Sequence, residues 1–306
     1  MGAGYWGSRY LTESAGVHET EVVAVCDSSA EALERASKTL PRAYATRELS
    51  GALAVPCDAV IVATPSETHG ELALAALRAN KHVLVEKPLA TRAAEAKRLV
   101  EEAQARRLVL GVGHLVLLHP AMQWLFSACA RGDIGELLTV HSVRHSNGSL
   151  RRHGSDLWEL GPHDVAVALR LVGRLPRAVR CDRSSTGTTL FLDFSGVSVT
   201  TELSRAAVRP VRAVTVTGTK GTVELDELRG QARVRDLDGR VLTTREFQQA
   251  QSLLQMQLAR FAAAVAIGDR PRADGAEALK VVEVLCSAER DYTRAEKYIC
   301  VAMSRG

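Results

Sequence analysis

The first ten residues, MGAGYWGSRY, place glycines at positions 2, 4 and 7. Glycines with this GxGxxG spacing form a tight turn, let the backbone approach a pyrophosphate, and pack the following helix closely on a strand. A buried strand of apolar residues normally precedes the turn, whereas only Met1 precedes Gly2 here. The motif predicts a dinucleotide-binding loop and raises the question of what replaces the strand in front of it.

Asp27 stands at the end of the next apolar run, twenty residues after Gly7. A carboxylate at this position can bind both hydroxyls of an adenosine ribose, and it repels a 2′-phosphate. No arginine follows immediately to neutralise such a phosphate. The sequence therefore favours NAD over NADP as the cofactor.

The first third of the chain alternates short apolar runs with helical patterns, as a doubly wound parallel sheet requires. Beyond residue 113 the rhythm changes to short alternating runs, such as TTLFLDF and AVTVTG, that are typical of an antiparallel sheet. We predict an α/β protein with a Rossmann domain over residues 1–113 and an α/β domain with a large, mostly antiparallel open sheet over residues 114–306. Strands of the first domain are predicted at 22–27, 59–64, 82–86 and 108–112.

The first strand of a doubly wound sheet lies in its middle. Its loss leaves a gap between two half-sheets, with buried backbone groups that lack partners at a cost of about 1 to 3 kcal/mol each. Our hypothesis is that Met1 is the last residue of this strand and that the natural start lies upstream. If Met1 is the natural start, another segment must fill the gap.

The composition of the 306 residues excludes several classes of protein. Apolar residues make up 46% and charged residues 24%, as in ordinary globular proteins, and we find no run of 18 apolar residues and no signal-peptide pattern. The net charge of +4 is spread along the chain, which argues against nucleic-acid binding. We expect a cytoplasmic protein that binds neither membranes nor nucleic acids.

Six separated motifs carry a resemblance to a known family. In chain order they are ATPSETHGELALAALRANKHVLVEKPLA, GVGHLVLLHPA, GDIGEL, LWELGPHDVAVAL, GTKGTVELDE and FAAAVAIGDRPRADGAEALKVVEVL. With GAGYWG before them, the chain resembles the glucose-fructose oxidoreductase, inositol dehydrogenase and MocA (Gfo/Idh/MocA) family over nearly its whole length. LLHPA, RHSNGSLRR and LWELGPHD are most similar to members that oxidise C3 of a UDP-linked N-acetylated aminoglucuronate.

This resemblance implies a nicotinamide cofactor held between the two domains and a homodimer or homotetramer built through the second sheet. The implied substrate is a sugar, in particular a nucleotide-linked one. We assign cofactor binding to residues of the glycine loop, the ATPSETH segment and the EKP motif: Gly2, Gly4, Tyr5, Trp6, Gly7, Asp27, Thr64, Pro65, His69, Glu86 and Lys87.

Lys87 is the first candidate catalytic residue. It follows a predicted parallel strand, so it emerges at the edge of the sheet where doubly wound folds bind ligands. An ammonium there can bond a sugar hydroxyl and stabilise negative charge as the oxygen becomes a carbonyl oxygen. The family assigns this role to the lysine of its EKP motif. Without the resemblance, a surface lysine beside a turn is the better interpretation; in the family the bond before Pro88 is often cis, whereas the sequence alone favours trans.

His163 is the candidate base. Gly161 and Pro162 mark a helix start, so His163 lies in the first turn, where the helix dipole keeps an imidazole neutral and able to accept a proton. Glu159 stands four residues earlier, where the family more often has an aspartate. Three roles remain open for it: contact with the substrate, orientation of His163, or exposure to solvent. No third ligand stands at a suitable spacing, so we predict no metal site.

Six residues are candidates for substrate binding: His119, Asn147, Arg151, Arg152, Arg209 and Arg212. The asparagine and the four arginines can bond a carboxylate or diphosphate, and for each of these five a solvated loop is the alternative interpretation.

Two alternatives to a sugar dehydrogenase remain open. A ketoreductase of deoxysugar or aminocyclitol biosynthesis has the same fold, although many such reductases use NADPH, which Asp27 disfavours. A non-catalytic partner or sensor subunit that binds nucleotide belongs to another class. The retained Lys87 and His163 argue against it, and the missing first strand argues for it.

Overall fold

The computed structural model describes residues 1–147, 155–248, 251–267 and 274–303, with residues 294–303 described by their backbone alone. The chain divides into two compact units: Met1–Leu115 with Ala250–Val282, and Val116–Gln249 with Glu283–Gly306. The sequence placed one boundary between residues 113 and 114 and assigned the segment after residue 249 wholly to the second domain. That domain assignment stays a prediction, and the compact units differ from it by grouping Ala250–Val282 with the first unit.

The first unit confirms the predicted Rossmann-type α/β architecture. Its strands pair in parallel and form two separate sheets, one of order β1-β2 and one of order β3-β4-β5. The elements are α1 (Tyr5–Ser14), β1 (Ala24–Cys26), α2 (Ala30–Thr39), β2 (Tyr44–Thr46), α3 (Leu49–Ala54), β3 (Ala59–Val62), α4 (His69–Arg78), β4 (His82–Val85), α5 (Ala93–Arg106), β5 (Leu110–Val112) and α9 (Leu253–Ile267).

Helix α9 belongs to this unit because its apolar face joins the core. Leu254, Leu258 and Phe261 pack in one cluster with Tyr10 of α1 and Leu84 of β4. From its position in the sequence, the segment after the second sheet is expected to belong to the second domain. The apolar face of α9 instead packs against residues of the first unit that are distant in sequence.

The second unit is built on one eight-stranded sheet of order β13-β12-β11-β10-β6-β9-β8-β7. Every neighbouring pair is antiparallel except β6 with β9, so the prediction of a mostly antiparallel sheet is confirmed. The elements are α6 (Pro120–Ala130), β6 (Leu137–His145), α7 (Asp156–Glu159), α8 (Gly161–Val172), β7 (Ala178–Arg183), β8 (Thr188–Asp193), β9 (Ser198–Ser204), β10 (Val211–Gly218), β11 (Gly221–Asp226), β12 (Gln231–Arg235) and β13 (Val241–Glu246). Helix α10 (Gly275–Met303) runs from the first unit into the second.

Alternation along the strands gives this sheet one buried face. In β8 and β11 every second residue is buried, and the intervening residues are partly exposed. Helices α6 and α8 pack on the sheet, and α8 is itself buried along most of its length. The buried face therefore holds the polar residues of β6 and the first turn of α8 in fixed positions.

The Thr68 hydroxyl oxygen, at the start of α4, lies 2.7 Å from both Thr64 Oγ1 and the Pro65 carbonyl oxygen. Arg92 stands at the N-cap of α5. Among the residues described, no helix is long and apolar enough to cross a membrane.

Candidate functional site

The glycine-rich loop has a distinct role for each of its glycines. Gly2 has φ of +83°, and a Cβ there would lie 2.6 Å from the Ala63 carbonyl oxygen. A Cβ on Gly7 would overlap the Gly2 carbonyl, so this glycine lets α1 pack against the turn. Gly4 is exposed, and a Cβ there would meet nothing within 4 Å. The loop therefore leaves its open side at Gly4, directly before the first turn of α1, where helix amide groups favour an anion.

Two alanine substitutions separate these roles. Gly7→Ala is expected to destabilise the unit and to abolish NADH binding, since the new methyl group overlaps backbone. Gly4→Ala is expected to leave the melting temperature within about 2 °C and to weaken NADH binding by about tenfold or more, because the methyl group fills the side that a phosphate would approach. Thermal unfolding and nicotinamide fluorescence titration measure the two effects. Equal NADH affinity of Gly4→Ala and the parent chain would contradict this assignment.

Asp27 is brought directly against the glycine loop. Its Oδ2 accepts from the Ala3 amide at 2.6 Å, and its Oδ1 accepts from the Ser29 amide at 2.8 Å. Each carboxylate oxygen retains capacity for a further hydrogen bond. The residue predicted to bind a ribose thus lies next to the loop predicted to bind a pyrophosphate.

Tyr5 and Trp6 begin helix α1 beside this loop. Their rings meet edge to face with centroids 5.5 Å apart, and Tyr5 is 45% exposed. The Arg9 guanidinium lies 5.0 Å from the Tyr5 ring centroid and 5.6 Å from that of Trp6. The aromatic pair and the cation together form a surface beside Gly4.

His69 connects two loops that follow neighbouring strands. Its Nδ1 lies 2.7 Å from the Pro88 carbonyl and its Nε2 lies 2.9 Å from the Thr64 carbonyl. Burial lowers the pKa of His69, although both carbonyls act in the opposite direction. The Lys87–Pro88 bond is cis, as in many members of the family and unlike the trans bond that the sequence alone favours. Rather than exposing its ring to a ligand, His69 ties the half-buried Lys87 loop to the partly exposed Thr64–Pro65 loop.

Glu86 lies inside the first unit. Its side chain is buried and accepts from the Tyr10 hydroxyl at 2.7 Å, and its other oxygen accepts from the Lys87 amide at 3.2 Å. Burial raises the pKa of Glu86, whereas Tyr10 and Lys87 act in the opposite direction. Gln257 of α9 completes the group, with 3.0 Å between its Oε1 and the Tyr10 hydroxyl. Tyr10 and Gln257 hold the carboxylate beneath the Lys87 backbone, and neither was predicted from the sequence.

His114 is a second buried histidine near Lys87 that the sequence did not single out. It is 2% exposed, and its Nε2 has no hydrogen-bond partner among the described residues. Burial lowers its pKa to about 4, and the charge of Lys87 acts in the same direction. The ring is therefore neutral at neutral pH.

This histidine makes the stability of the protein depend on pH. In the unfolded chain His114 binds a proton near pH 6.5, whereas burial lowers its pKa to about 4 in the folded chain, so stability is lost as pH falls through that window. The full loss from His114 amounts to roughly 3 kcal/mol. His114→Asn is expected to flatten the unfolding free energy between pH 6.5 and 4.5, measured by denaturant titration. An unchanged slope would show that His114 does not titrate in this window.

In the second unit, His163 takes the position predicted for it. It is the third residue of α8, and its backbone amide donates to the Leu160 carbonyl. Glu159 ends the short helix α7, and both side chains are partly buried. A first-turn position on a helix with Pro162 at its start is confirmed, and the catalytic roles of His163 and Glu159 stay predictions.

A buried charge cluster supports this helix start. Arg144 of β6 donates to Asp164 Oδ2 at 2.6 Å and to Glu227 Oε2 at 3.2 Å. The Arg144 and Asp164 side chains are 6% and 1% exposed. His119 is also buried, and burial lowers its pKa. The charge of Glu227 raises the pKa of His119, whereas the charge of Arg212 lowers it further. His119 and Arg212 were predicted from the sequence as substrate residues. Arg144, Asp164 and Glu227 were not predicted.

The remaining substrate candidates fall in different places. Arg212 is 48% exposed and lies 3.5 Å from Glu227. Asn147 and Arg209 are exposed. Arg151 and Arg152 lie outside the described residues. Arg212 is thus connected to the charge cluster, and Asn147 and Arg209 are on the surface of the unit.

Comparison with known proteins agrees with this arrangement. The profile of the family described as "Oxidoreductase family, NAD-binding Rossmann fold" (GFO_IDH_MocA) matches residues 1–114. The UDP-N-acetylglucosamine 3-dehydrogenase of Acidithiobacillus ferrooxidans is 30% identical over 225 residues, which are 71% of this chain and 69% of that protein. The chain belongs to the Gfo/Idh/MocA family. It is therefore an oxidoreductase with an NAD-binding Rossmann fold, in a family that includes sugar dehydrogenases.

The chain is also similar to solved structures and to a further curated dehydrogenase. A crystal form of the same Acidithiobacillus enzyme has a TM-score of 0.84 at 25% identity and covers 95% of this chain and 96% of its own. Inositol 2-dehydrogenase 2 of Saccharopolyspora erythraea is 38% identical over 120 residues, or 38% of this chain and 35% of that protein. Levoglucosan dehydrogenase, solved with NADH and levoglucosan, has a TM-score of 0.85 at 19% identity over 96% of both chains, which shows the shared fold.

Proposed function

We propose that the protein is an NAD-dependent dehydrogenase that oxidises a secondary alcohol, at C3, of a nucleotide-linked sugar. The observation that carries the proposal is that contacts connect three loops of the first unit: the glycine loop, the Thr64 loop and the Lys87 loop. The glycine loop contacts Asp27 through Ala3, Gly2 packs on Ala63, and His69 ties the Thr64 loop to the Lys87 loop. The name of the Acidithiobacillus relative, a UDP-N-acetylglucosamine 3-dehydrogenase, supports the choice of C3 and of a UDP sugar.

The residues of the first unit fit the cofactor. The open side at Gly4 would admit the pyrophosphate, and Asp27 would accept the ribose hydroxyls. NAD supplies the acceptor for the hydride that leaves the carbinol carbon. Lys87 bonds the reacting hydroxyl and stabilises the charge that develops on its oxygen, and His163 accepts the hydroxyl proton. Arg212 and Arg209 would meet the anionic part of the substrate.

A substrate panel tests the reaction. The panel contains UDP-N-acetylglucosamine, its uronate, and myo-inositol, each with NAD and with formation of NADH followed by absorbance. The same assay with NADH and keto sugars detects a ketoreductase. Turnover of a UDP sugar well above that of inositol supports the proposal. Turnover of inositol alone would overturn the choice of substrate. Turnover of none of the compounds, by a chain that binds NADH tightly, would overturn the assignment as an active enzyme.

Asp27 is expected to make the protein select NADH. A carboxylate next to the 2′ position should give at least about 100-fold tighter binding of NADH than of NADPH, and Asp27→Asn should reduce this ratio by about tenfold or more. Fluorescence titration of both nucleotides measures the ratio. Asp58→Asn is the matched control, since it removes one carboxylate from an exposed position just before β3. An unchanged ratio in Asp27→Asn would rule out the assigned role.

We also propose a homodimer or homotetramer formed through the eight-stranded sheet. The support is the family resemblance together with the open, partly exposed face of β8, β9 and β11. Light scattering after size-exclusion chromatography gives the subunit count. A monomer at all concentrations tested would contradict this assembly.

A further inference from the structure

Three buried side chains of the first unit meet at one hydroxyl group. Tyr10 of α1, Glu86 and Gln257 of α9 are 3%, 4% and 6% exposed. The Tyr10 oxygen lies 2.7 Å from Glu86 Oε1 and 3.0 Å from Gln257 Oε1. Each distance is that of a hydrogen bond, and each bond needs a proton of its own. None of the three groups takes part in the proposed transfer of hydride and proton.

The side-chain amide of Gln257 has one favourable orientation. Its Nε2 donates to the Val112 carbonyl at 3.2 Å. A carbonyl oxygen only accepts, so exchanging the two ends of the amide would set Gln257 Oε1 against that oxygen. Gln257 therefore presents an acceptor to Tyr10, and the bond between them forms only when the Tyr10 hydroxyl donates.

The single hydroxyl proton of Tyr10 cannot serve both of its neighbours. If Glu86 is ionised, Glu86 Oε1 is also an acceptor, and two acceptors then compete for one proton. If Glu86 is protonated, Glu86 Oε1 donates to the Tyr10 oxygen and Tyr10 donates to Gln257. Both short distances are then hydrogen bonds with one proton each. The count of donors and acceptors favours the protonated acid.

The second oxygen of Glu86 fits the same assignment. Glu86 Oε2 accepts from the Lys87 amide at 3.2 Å, as the carbonyl oxygen of a neutral acid can do. A Cβ on Gly113 would lie 3.1 Å from this oxygen, so the uncharged backbone of Gly113 packs on the carboxyl group. Burial raises the pKa of Glu86, and the titratable groups that act against burial are Tyr10 and Lys87. Burial, as the largest of these influences, acts in the same sense as the hydrogen-bond count.

We propose that Glu86 is a neutral carboxylic acid at neutral pH and a positioning residue for Lys87. Its proton begins a chain of two bonds, from Glu86 to Tyr10 and from Tyr10 to Gln257, while its carbonyl oxygen holds the Lys87 amide. An ionised carboxylate beside Lys87 would offset the positive charge that stabilises the developing oxygen anion. A neutral acid fixes the Lys87 backbone and leaves that charge effective. The catalytic consequence rests on the proposed function, whereas the protonation of Glu86 does not.

Infrared difference spectroscopy tests the protonation directly. The spectrum of the parent chain minus that of Glu86→Gln, at neutral pH, should contain the carbonyl stretch of a protonated carboxyl group. The subtraction removes other buried acids such as Asp164. If Glu86→Gln does not fold, Tyr10→Phe replaces it, and the band should shift because the Glu86 hydroxyl loses its acceptor. A difference spectrum with carboxylate bands alone would overturn the proposal.

The pH dependence of stability gives a second measurement. The unfolded chain releases the Glu86 proton near pH 4.5, whereas the folded chain retains it. Above that pH, the folding constant of the parent should therefore fall relative to that of Glu86→Gln, by up to about tenfold per pH unit until Glu86 ionises in the folded chain. Denaturant titration measures the ratio, from which the contribution of His114 cancels. Glu31→Gln, with a side chain that is 86% exposed, is the control. A ratio that is constant or rises with pH would contradict the proposal.

Two uncharged variants test the positioning role. Glu86→Gln keeps a donor for Tyr10 and an acceptor for the Lys87 amide, whereas Glu86→Leu has neither. Because both variants lack the charge, a role that depends on a negative Glu86 predicts equal losses of kcat. We expect the kcat of Glu86→Gln to exceed that of Glu86→Leu by about tenfold or more, with KM values within about threefold of each other. Equal kcat values would overturn the positioning role. The infrared and stability measurements need neither cofactor nor substrate, so their outcome is independent of the dehydrogenase assignment.

Discussion

Replacement of Lys87 by Met is expected to lower kcat by about 10³-fold while the affinity for NADH stays within about threefold. The reason is that the ammonium stabilises charge on the oxygen only as the carbonyl forms, so its loss affects the transition state more than the bound ground state. The measurement uses the best substrate of the panel, with kcat and KM determined separately. A fall in kcat with little change in NADH affinity distinguishes this role from loss of the cofactor site.

Lys97→Met is the matched control for this variant. Lys97 lies on α5, is 66% exposed, and has its Nζ 3.8 Å from Glu101. The Lys97→Met variant should retain the parent kcat, since exposed ion pairs contribute little to stability. If Lys87→Met retains kcat within threefold of Lys97→Met, Lys87 is not a catalytic residue. A fall in kcat in both variants would point to a general effect on folding.

The buried groups around Lys87 give a second readout for the same variant. Lys87 lowers the pKa of His114 and of Glu86. Removing the charge of Lys87 should therefore raise both pKa values. The rise in the pKa of His114 can be followed by NMR titration of the His114 ring. An unchanged His114 titration in Lys87→Met would mean that the two side chains do not interact as the structure places them.

The position of Asp27 beside the glycine loop was predictable because its signals are local. The glycine spacing and Asp27 depend on a single turn and the next strand, and the structure brings them together through the Ala3 amide. The Tyr10–Glu86–Gln257 group was not predictable. Its members are separated by up to 247 residues, and nothing in a tyrosine or a glutamine by itself indicates a buried carboxylate.

Strand prediction failed for strands rich in polar residues and for a strand that is paired on one side only. Strands β12 and β13 were missed because QARVR and VLTTRE are rich in polar residues, and β13 is exposed at every position. The predicted strand 22–27 is observed only as Ala24–Cys26. Among the described strands it pairs with β2 alone, and one partner supports a shorter ladder.

The charge cluster of the second unit illustrates a further limit. Arg144 follows Val140 and Ser142 on the buried face of β6, where the alternation of the strand predicts an apolar residue. Its burial is possible because Asp164 and Glu227 come from other elements. Neither partner can be assigned from the local sequence around Arg144.

Arg144→Met is expected to destabilise the protein by about 3 to 5 kcal/mol, because it leaves the Asp164 and Glu227 carboxylates buried without their main partner. This corresponds to a fall in melting temperature on the order of 10 °C. Arg177→Met is the control: Arg177 is 75% exposed, lies 3.0 Å from Asp193, and should cost less than about 1 kcal/mol. Equal melting temperatures of the two variants would contradict a stabilising role for the cluster.

Neutralising the carboxylates separates charge from packing. If the cost of Arg144→Met arises from unpaired charge, the triple variant Arg144→Met, Asp164→Asn, Glu227→Gln should recover most of the lost stability. If it arises from lost packing, the triple variant should be no more stable than Arg144→Met.

Because Asp164 directly follows His163 in the first turn of α8, the Arg144 bond also fixes the backbone that carries the proposed base. We therefore expect Arg144→Lys, which keeps the charge and loses the fork of donors, to retain most stability and to lower kcat more than it raises KM.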